Sequence, residues 1–223
     1  MQRSQKLISL LALLLCFNIA TMQQPNSQDY LQQYREAQLL FHYPKESSDY
    51  TKAVTAFLAL TTECPDPLLK AKSHIALGQM YFHGIYLPVP HDPIVAEEHF
   101  YKGLMQVNSN PNYSFYRCQA SLYLAHIALE SNDISKSSEF IQYALNVYGG
   151  LSAEQQKILE PHLNYNHSIG FLKNHNHHMA TMILQTLLKS PYAQVPICNR
   201  ALNYFLQYQA QRSAGHYERS ETD

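Results

Sequence analysis

A small side chain returns along this chain at a nearly constant stride, inside segments whose apolar residues follow helical spacing. Ala53, Ala96, Ser137 and Ala180 are separated by 43, 41 and 43 residues. Four positions after each of them stands a bulky apolar residue, and seven positions after each stands another residue of the same helical stripe. A stride of about 35–45 residues with helical periodicity inside each unit predicts stacked pairs of helices. The bulky residues four positions on are Phe57, Phe100, Ile141 and Leu184, and the residues seven positions on are Leu60, Gly103, Ala144 and Leu187.

Proline, glycine and polar clusters divide the chain into four antiparallel helical hairpins and one last helix. The hairpins are predicted at about residues 30–64, 68–107, 113–148 and 152–188, and the last helix at about 197–211. Because an array of this kind needs a final helix to cover its end, the sequence predicts an all-α fold, an α-solenoid closed by a C-terminal capping helix. The helix ends are assigned from Asp49 and Asp92 as N-caps, Pro93 at the first helical position, Gly84 as a left-handed C-cap, and Ser152 with Gln155 as a capping box.

The small residues have a mechanical explanation. Two helices approach to ~8–10 Å only where the side chains between them are small, and the larger residue four positions on fills the groove beside the contact. Ala53, Ala96, Ser137 and Ala180, together with Gly78, are therefore expected to mark close helix crossings. We assign these positions a structural role rather than a catalytic one.

The first 24 residues have the pattern of a secretory signal peptide. Arg3 and Lys6 precede a 14-residue, largely apolar run over residues 7–20. A run this short does not span roughly 30 Å of hydrocarbon comfortably, which favours a cleaved signal over a membrane anchor. We therefore expect export to a periplasmic or secreted location, and no stable membrane span in the mature chain. The remaining divisions are a polar linker at 25–29, the repeat domain at 30–212 and a disordered tail at 213–223.

Composition and motifs argue against several functional classes. With 16 Lys and Arg against 17 Asp and Glu the net charge is −1, and the basic residues are scattered, so no nucleic-acid partner is expected. The sequence contains no G-x-S-x-G element, no H-E-x-x-H pattern and no glycine-rich phosphate loop. We therefore predict a non-enzymatic protein without a cofactor. Signal removal leaves Cys64, Cys118 and Cys198, an odd number that favours buried thiols and leaves one disulfide open.

The second hairpin carries the most specific motif. In Ala76–Gly84 a Leu-Gly pair is followed after three residues by Tyr81 and after three more by a glycine. In Asp92–Gly103 an aspartate stands four residues before an alanine, and Phe100 stands four residues after that alanine. This pattern resembles a Sel1-like repeat, with two departures: His99 replaces the family's first aromatic residue, and the connecting loop is longer.

The flanking units are similar to tetratricopeptide repeats, the best match being Asp49–Phe57, and the resemblance covers about residues 30–190. The resemblance implies an α-solenoid that scaffolds or adapts protein complexes. In bacteria, exported Sel1-like proteins often serve in envelope processes or in contact with host cells. Since fold alone does not fix function, these roles are expectations from the family and not from the residues.

Tyrosines on the first helices of the hairpins suggest where a partner binds. In an α-solenoid those helices line the concave groove, and tyrosine supplies a large contact area with a polar tip. We therefore predict a groove that binds a protein or peptide. Tyr81 has a competing explanation, because the family's tyrosine at this place packs between helices. The predicted groove residues are Tyr34, Tyr81, Tyr123, His83 and His126.

A histidine-rich stretch over residues 162–178 carries the alternative function, a metal-binding envelope protein. Histidine is the commonest metal ligand, and histidine tracts can hold zinc or copper. His175 and His178 are three residues apart, so one helical face can present both. The competing explanation is that residues 174–176 form a turn whose polar side chains face water. Our first interpretation has no metal ion here, and the two histidines remain the alternative.

Overall fold

The computed structural model describes residues 27–84, 90–108 and 110–189, together with Asn203 and Leu206. Within these ranges the chain forms eight α-helices and one short 3₁₀ turn, and no strand, which confirms the all-α prediction. The helices are α1 (Ser27–His42), α2 (Ser47–Glu63), α3 (Pro67–His83), α4 (Pro93–Val107), α5 (Ser114–Glu130), α6 (Ile134–Tyr148), α7 (Ala153–Lys173) and α8 (His177–Lys189), with the 3₁₀ turn at Pro111–Tyr113.

The helices pack as four consecutive hairpins: α1 with α2, α3 with α4, α5 with α6, and α7 with α8. We call α1, α3, α5 and α7 the first helices and the other four the second helices. Each first helix also contacts the first helix of the next hairpin, and each second helix before α8 contacts the first helix that follows it. Neighbours in sequence are therefore neighbours in space along the whole described chain.

The positions of the repeating stride are all buried. Ala53, Ala96 and Ala180 have no exposed surface, and Ser137 is 1% exposed. The bulky residues four positions on and the residues seven positions on are buried as well. These twelve positions face other helices, as the spacing predicts.

Four apolar clusters hold the hairpins together, and each joins one hairpin to a neighbour. The first cluster combines α1 and α2 with Leu77 of α3, and the second combines α3 and α4 with Tyr123 of α5. The third combines α5 and α6 with Leu159 of α7, and the last combines α7 and α8 with Leu129 of α5. Since each cluster combines the two helices of one hairpin with a helix of a neighbour, burial of apolar area stabilises the individual hairpins and also holds them together.

Glycines mark the close approach of α3 and α4 inside the second hairpin. A Cβ on Gly78 would lie 2.8 Å from the Phe100 ring, and a Cβ on Gly103 would lie 3.1 Å from Ile75 Cγ1. The distance at Gly78 is shorter than real Cβ contacts, and the distance at Gly103 would require Ile75 to move by a few tenths of an ångström. The glycine at position 78 therefore permits the close approach of α3 to α4, and the glycine at position 103 eases it. The two residues thus mark a close helix crossing, as predicted for Gly78.

Most of the predicted helix ends are confirmed. The Asp92 carboxylate accepts hydrogen bonds from the backbone N–H groups of Ile94 and Val95, and Pro93 is the first helical residue. Gly84 ends α3 in the left-handed region with φ of 53°. The N-cap of α3 was not predicted: it is Asp66, and Pro67 is the first residue of the helix. The capping box of Ser152 with Gln155 is also present.

The N-cap assigned to Asp49 is wrong. Helix α2 begins two residues earlier, at Ser47, and Glu46 holds the N-cap position. The Asp49 carboxylate lies in the first turn and accepts hydrogen bonds from the backbone N–H groups of Lys45 and Glu46. Because a carboxylate three residues inside a helix can satisfy the N–H of the N-cap residue, the same side chain stabilises the helix from a different position.

The start of α1 also differs from the prediction, since Ser27–Asp29 belong to the helix and not to the linker. Cys64 and Cys118 are buried free thiols, and burial raises the pKa of Cys118 to about 12. None of the helices in the described ranges combines the length and apolar character needed to cross a membrane. The proposed signal peptide, the tail, Cys198 and nearly all of the last helix lie outside the described residues; Asn203 and Leu206 are helical.

Candidate binding face

The first helices bring polar and aromatic side chains to one side of the hairpin array. On α3, Gln79 and His83 follow Lys72 by 7 and 11 residues, and on α5, Tyr123 follows Tyr116 by seven, so each set occupies one side of its helix. We define the first-helix face as these residues with their neighbours on α1 and α7. Its members are Tyr34, Lys72, Gln79, His83, Tyr116, Tyr123 and His162.

Lys72 joins three consecutive first helices. Its ammonium lies 5.0 Å from the ring centroid of Tyr116 on α5 and 5.7 Å from that of Tyr34 on α1. Such cation–π contacts contribute about 0.5–1 kcal/mol each at partly exposed sites. Within the described ranges Lys72 forms no ion pair with a carboxylate. The face therefore holds a positive charge between two aromatic rings.

The Tyr34 ring packs against a core residue of the first hairpin. Its centroid lies 5.9 Å from that of Phe57, one of the stride positions of α2. Burial raises the pKa of Tyr34 well above its usual range, with a smaller contribution from Tyr116. The phenol is therefore neutral over the physiological pH range, and it presents a hydroxyl that can donate as well as accept.

Tyr123 connects the same face to the interior. Its ring stacks on Phe100 with centroids 4.6 Å apart, and its hydroxyl lies 3.2 Å from Gln79 Nε2 and 3.5 Å from His83 Nε2. The ring of His162 on α7 lies 4.8 Å from the Tyr123 ring. Burial lowers the pKa of His162 to about 4, so this imidazole is neutral at pH 7.

The predicted groove residues differ in what they expose. Tyr34, Tyr81 and His83 are partly exposed, whereas Tyr123 is 3% and His126 is 1% exposed. The last two present almost no surface to a partner, because α5 is covered by α3, α4, α6 and α7.

Two of these side chains have packing partners instead. The Tyr81 ring stacks on His99 of α4 with an interplanar angle of 4°, which fits the packing explanation that competed with a groove role. The His126 ring lies between Phe82 at 4.6 Å and Tyr165 at 4.0 Å. Both rings therefore contribute to contacts between helices.

Sequence reasoning missed Lys72, Tyr116, Gln79 and His162 as members of the face. The seven-residue spacing of Lys72 with Gln79 was a usable signal, because it puts both on one side of α3. The alignment of Tyr34 and Tyr116 across Lys72 had no local signal, since it depends on how far each first helix is displaced along the next.

The alternative metal site has an open geometry. His175 lies in the turn between α7 and α8 with φ of 60°, His178 lies in the first turn of α8, and both are exposed. No group of three or more His, Cys, Asp or Glu residues that could hold a metal ion occurs in the part of the chain that the structure describes. Metal binding by His175 and His178 stays a prediction.

Comparisons with known proteins leave the family open: no family model, no curated protein and no solved structure matches the chain. The Sel1-like and tetratricopeptide resemblance therefore rests on the motif and stride residues alone.

Proposed function

We propose that this protein is a non-enzymatic scaffold that binds a segment of a protein or peptide partner along the first-helix face. The observation that carries the proposal is the position of Lys72 between Tyr34 and Tyr116, on three successive first helices. A partner segment that lies across these three helices contacts the two tyrosine rings and the one lysine charge between them.

We further propose that the four hairpins form an α-solenoid of the Sel1-like or tetratricopeptide kind. The contacts of α1 with α3, α3 with α5, and α5 with α7 support it, because hairpins stacked in one direction bring their first helices together. The four apolar clusters, each shared between hairpins, support it as well. In such an array the first-helix face is the inner surface.

The chemistry of the face selects the kind of segment that it binds. Lys72 has no carboxylate partner in the described ranges, so a partner carboxylate can approach it without breaking an existing ion pair. A hydrogen bond to a charged group contributes about 1.5–3 kcal/mol. Gln79 and His83 add amide and imidazole groups that can bind a peptide backbone. The proposed partner is a segment with a carboxylate side chain next to apolar groups.

We place this function in an exported compartment, because the first 24 residues have the pattern of a cleaved signal peptide. Fusion of those residues to a reporter enzyme that works only after export tests this placement. Reporter activity is expected with residues 1–24 and not with residues 25–48; equal activity of the two fusions contradicts it.

Site-specific photocrosslinking tests the binding proposal. A benzophenone amino acid replaces Tyr116 on the first-helix face, and in a second variant it replaces Met105, which is 72% exposed on α4. In native cells the Tyr116 variant is expected to capture a discrete protein that the Met105 variant does not. The same capture from both positions, or none from either, argues against a partner on this face.

A further inference from the structure

A pair of histidines joins the two helices of the second hairpin. Nδ1 of His74 on α3 lies 3.0 Å from Nδ1 of His99 on α4, and His74 is 8% exposed. A hydrogen bond between two ring nitrogens needs one N–H donor and one bare nitrogen. The contact therefore exists with two neutral rings or with one proton added, but not when both rings carry the imidazolium charge.

The pair lies where the hairpin has least freedom to adjust. The His99 ring is held by stacking on Tyr81, with centroids 5.7 Å apart. A Cβ on Gly103 would lie 3.4 Å from Cβ of His74, so the backbone of α4 packs within van der Waals contact distance of this side chain. His74 is buried against α4 and the partly exposed His99 is held by Tyr81, so repulsion between the two rings acts directly on the contact between α3 and α4.

The charges around the pair oppose added protons. Lys70 on α3 and Lys102 on α4 both act on His74, and Lys102 also acts on His99. Among the residues that the structure describes, Glu98 is the one carboxylate acting on both rings, and Lys102 binds its Oε1 at 2.6 Å. Burial first, and then His99 and the two lysines, lower the pKa of His74 to about 4. Burial, followed by Lys102, also lowers the pKa of His99.

We propose that the His74–His99 pair is an acid-sensitive joint that holds α3 against α4 at neutral pH and releases them when both rings gain protons. Binding of a divalent metal between the two nitrogens is the competing use of this geometry. Lys70 and Lys102 disfavour a second cation there, and the described ranges supply no third ligand group.

The direction of the pH effect follows from the proton balance. In the unfolded chain a histidine takes up its proton near pH 6.5, whereas folded His74 does so near pH 4. The unfolded state thus binds more protons between these values. The contribution of the pair to stability is complete above about pH 6.5, is lost as the pH falls from 6.5 towards 4, and changes no further below that. Because a shift of this size in one histidine corresponds to up to about 300-fold in the folding equilibrium, an effect of tenfold is measurable.

The test compares urea unfolding of the wild type with that of the His74→Leu/His99→Phe double variant from pH 7.5 to pH 4.5. The phenylalanine keeps a ring to stack on Tyr81, and neither new side chain titrates. The folded-to-unfolded ratio of the wild type is expected to fall at least tenfold further than that of the double variant. His175→Gln, which removes an exposed histidine, is expected to follow the wild type. Equal losses in wild type and double variant overturn the proposal.

A second measurement keeps the test decisive if the double variant does not fold. Nitrogen NMR shifts of the imidazole rings in the wild type report the protonation of each histidine directly. His74 is expected to stay neutral down to about pH 5. Titration of His74 near pH 6.5 overturns the joint. Zn²⁺ is then added to the wild type and to His99→Phe. If Zn²⁺ raises the stability of the wild type and not that of His99→Phe, the joint is overturned in favour of metal binding.

Discussion

The two sides of helix α3 follow different rules. The side towards α4 carries Ile75, Gly78 and Phe82, which are buried and leave no room for an added methyl group at the glycine. The side along the neighbouring first helices carries Lys72 and Gln79, which are partly exposed and make polar or cation–π contacts. The residues on the first side of α3 therefore pack the core, and those on the second side offer polar and charged groups. We expect substitutions on the first side to change stability, and substitutions on the second to change binding.

The largest loss of stability is expected from Phe100→Ala. The ring is fully buried, fills the space left by Gly78 and stacks on Tyr123. Truncation of a buried phenylalanine lowers the free energy of unfolding by about 3–5 kcal/mol, through lost transfer energy and the cavity left behind. Met105→Ala, an exposed position on the same helix, is expected to stay within about 0.5 kcal/mol of wild type in urea unfolding. Similar losses in the two variants would remove the distinction between the sides.

Gly78→Ala tests the close approach of α3 and α4. Overpacking costs about 1–3 kcal/mol, and the better helix propensity of alanine returns up to about 1 kcal/mol, so we expect a net loss of stability. Phe100→Leu in the same chain is expected to recover part of it, because the methyl group meets the Phe100 ring at 2.8 Å. Gly170→Ala is the matched control, since a Cβ there meets no atom within 4 Å and stability should rise. Stabilisation by both alanines contradicts the packing account.

Tyr123→Phe tests a residue of α5 that contacts both the buried Phe100 and the polar Gln79. The ring contact with Phe100 is retained, and the hydroxyl that reaches Gln79 and His83 is removed. The loss of these hydrogen bonds is expected to lower the free energy of unfolding by about 0.5–1.5 kcal/mol. Thermal unfolding measures this loss, and Tyr143→Phe, which removes the hydroxyl that donates to Asn108 Oδ1 at the surface, serves for comparison. A Tyr123→Phe loss above that of Phe100→Ala would mean that the hydroxyl, and not the ring, organises this region.

Lys72→Ala is expected to have the smallest effect on stability. It removes two cation–π contacts at a partly exposed position and leaves no buried charge unpaired. The contacts sum to about 1–2 kcal/mol, and the conformational entropy no longer lost in ordering the lysine side chain offsets part of this, so the free energy of unfolding should fall by about 1 kcal/mol or less. Urea unfolding checks this value. A loss comparable to that of Phe100→Ala would place Lys72 among the structural residues.

The stride predicted the packing residues because burial in stacked hairpins is a local property of each helix. Ala53, Ala96, Ser137 and Ala180 all lie in the core, and the cap at Asp92 and the end at Gly84 are where their chemistry requires them. Asp49 was misplaced because an aspartate stabilises a helix start both as the N-cap and three residues inside it. Local sequence does not separate those two positions.

The binding face was only partly predictable, because it depends on contacts between distant segments. Tyr123 and His126 were expected in the groove because they lie on a first helix, yet α5 is enclosed by four other helices and buries both. The meeting of Lys72 with Tyr116 joins residues from different hairpins, so it depends on how α3 packs against α5. The sequence shows which residues α3 presents, and the tertiary packing decides what they meet.

The central claim, that this face binds a partner, is tested most directly by the affinity of the protein captured at position 116. Isothermal titration with that purified partner compares wild type with Lys72→Ala and Met105→Ala. We predict that Lys72→Ala raises the Kd at least tenfold, about 1.4 kcal/mol, while Met105→Ala leaves it unchanged. An unchanged Kd for Lys72→Ala together with a raised Kd for Met105→Ala would contradict the account and move the binding site to the second helices.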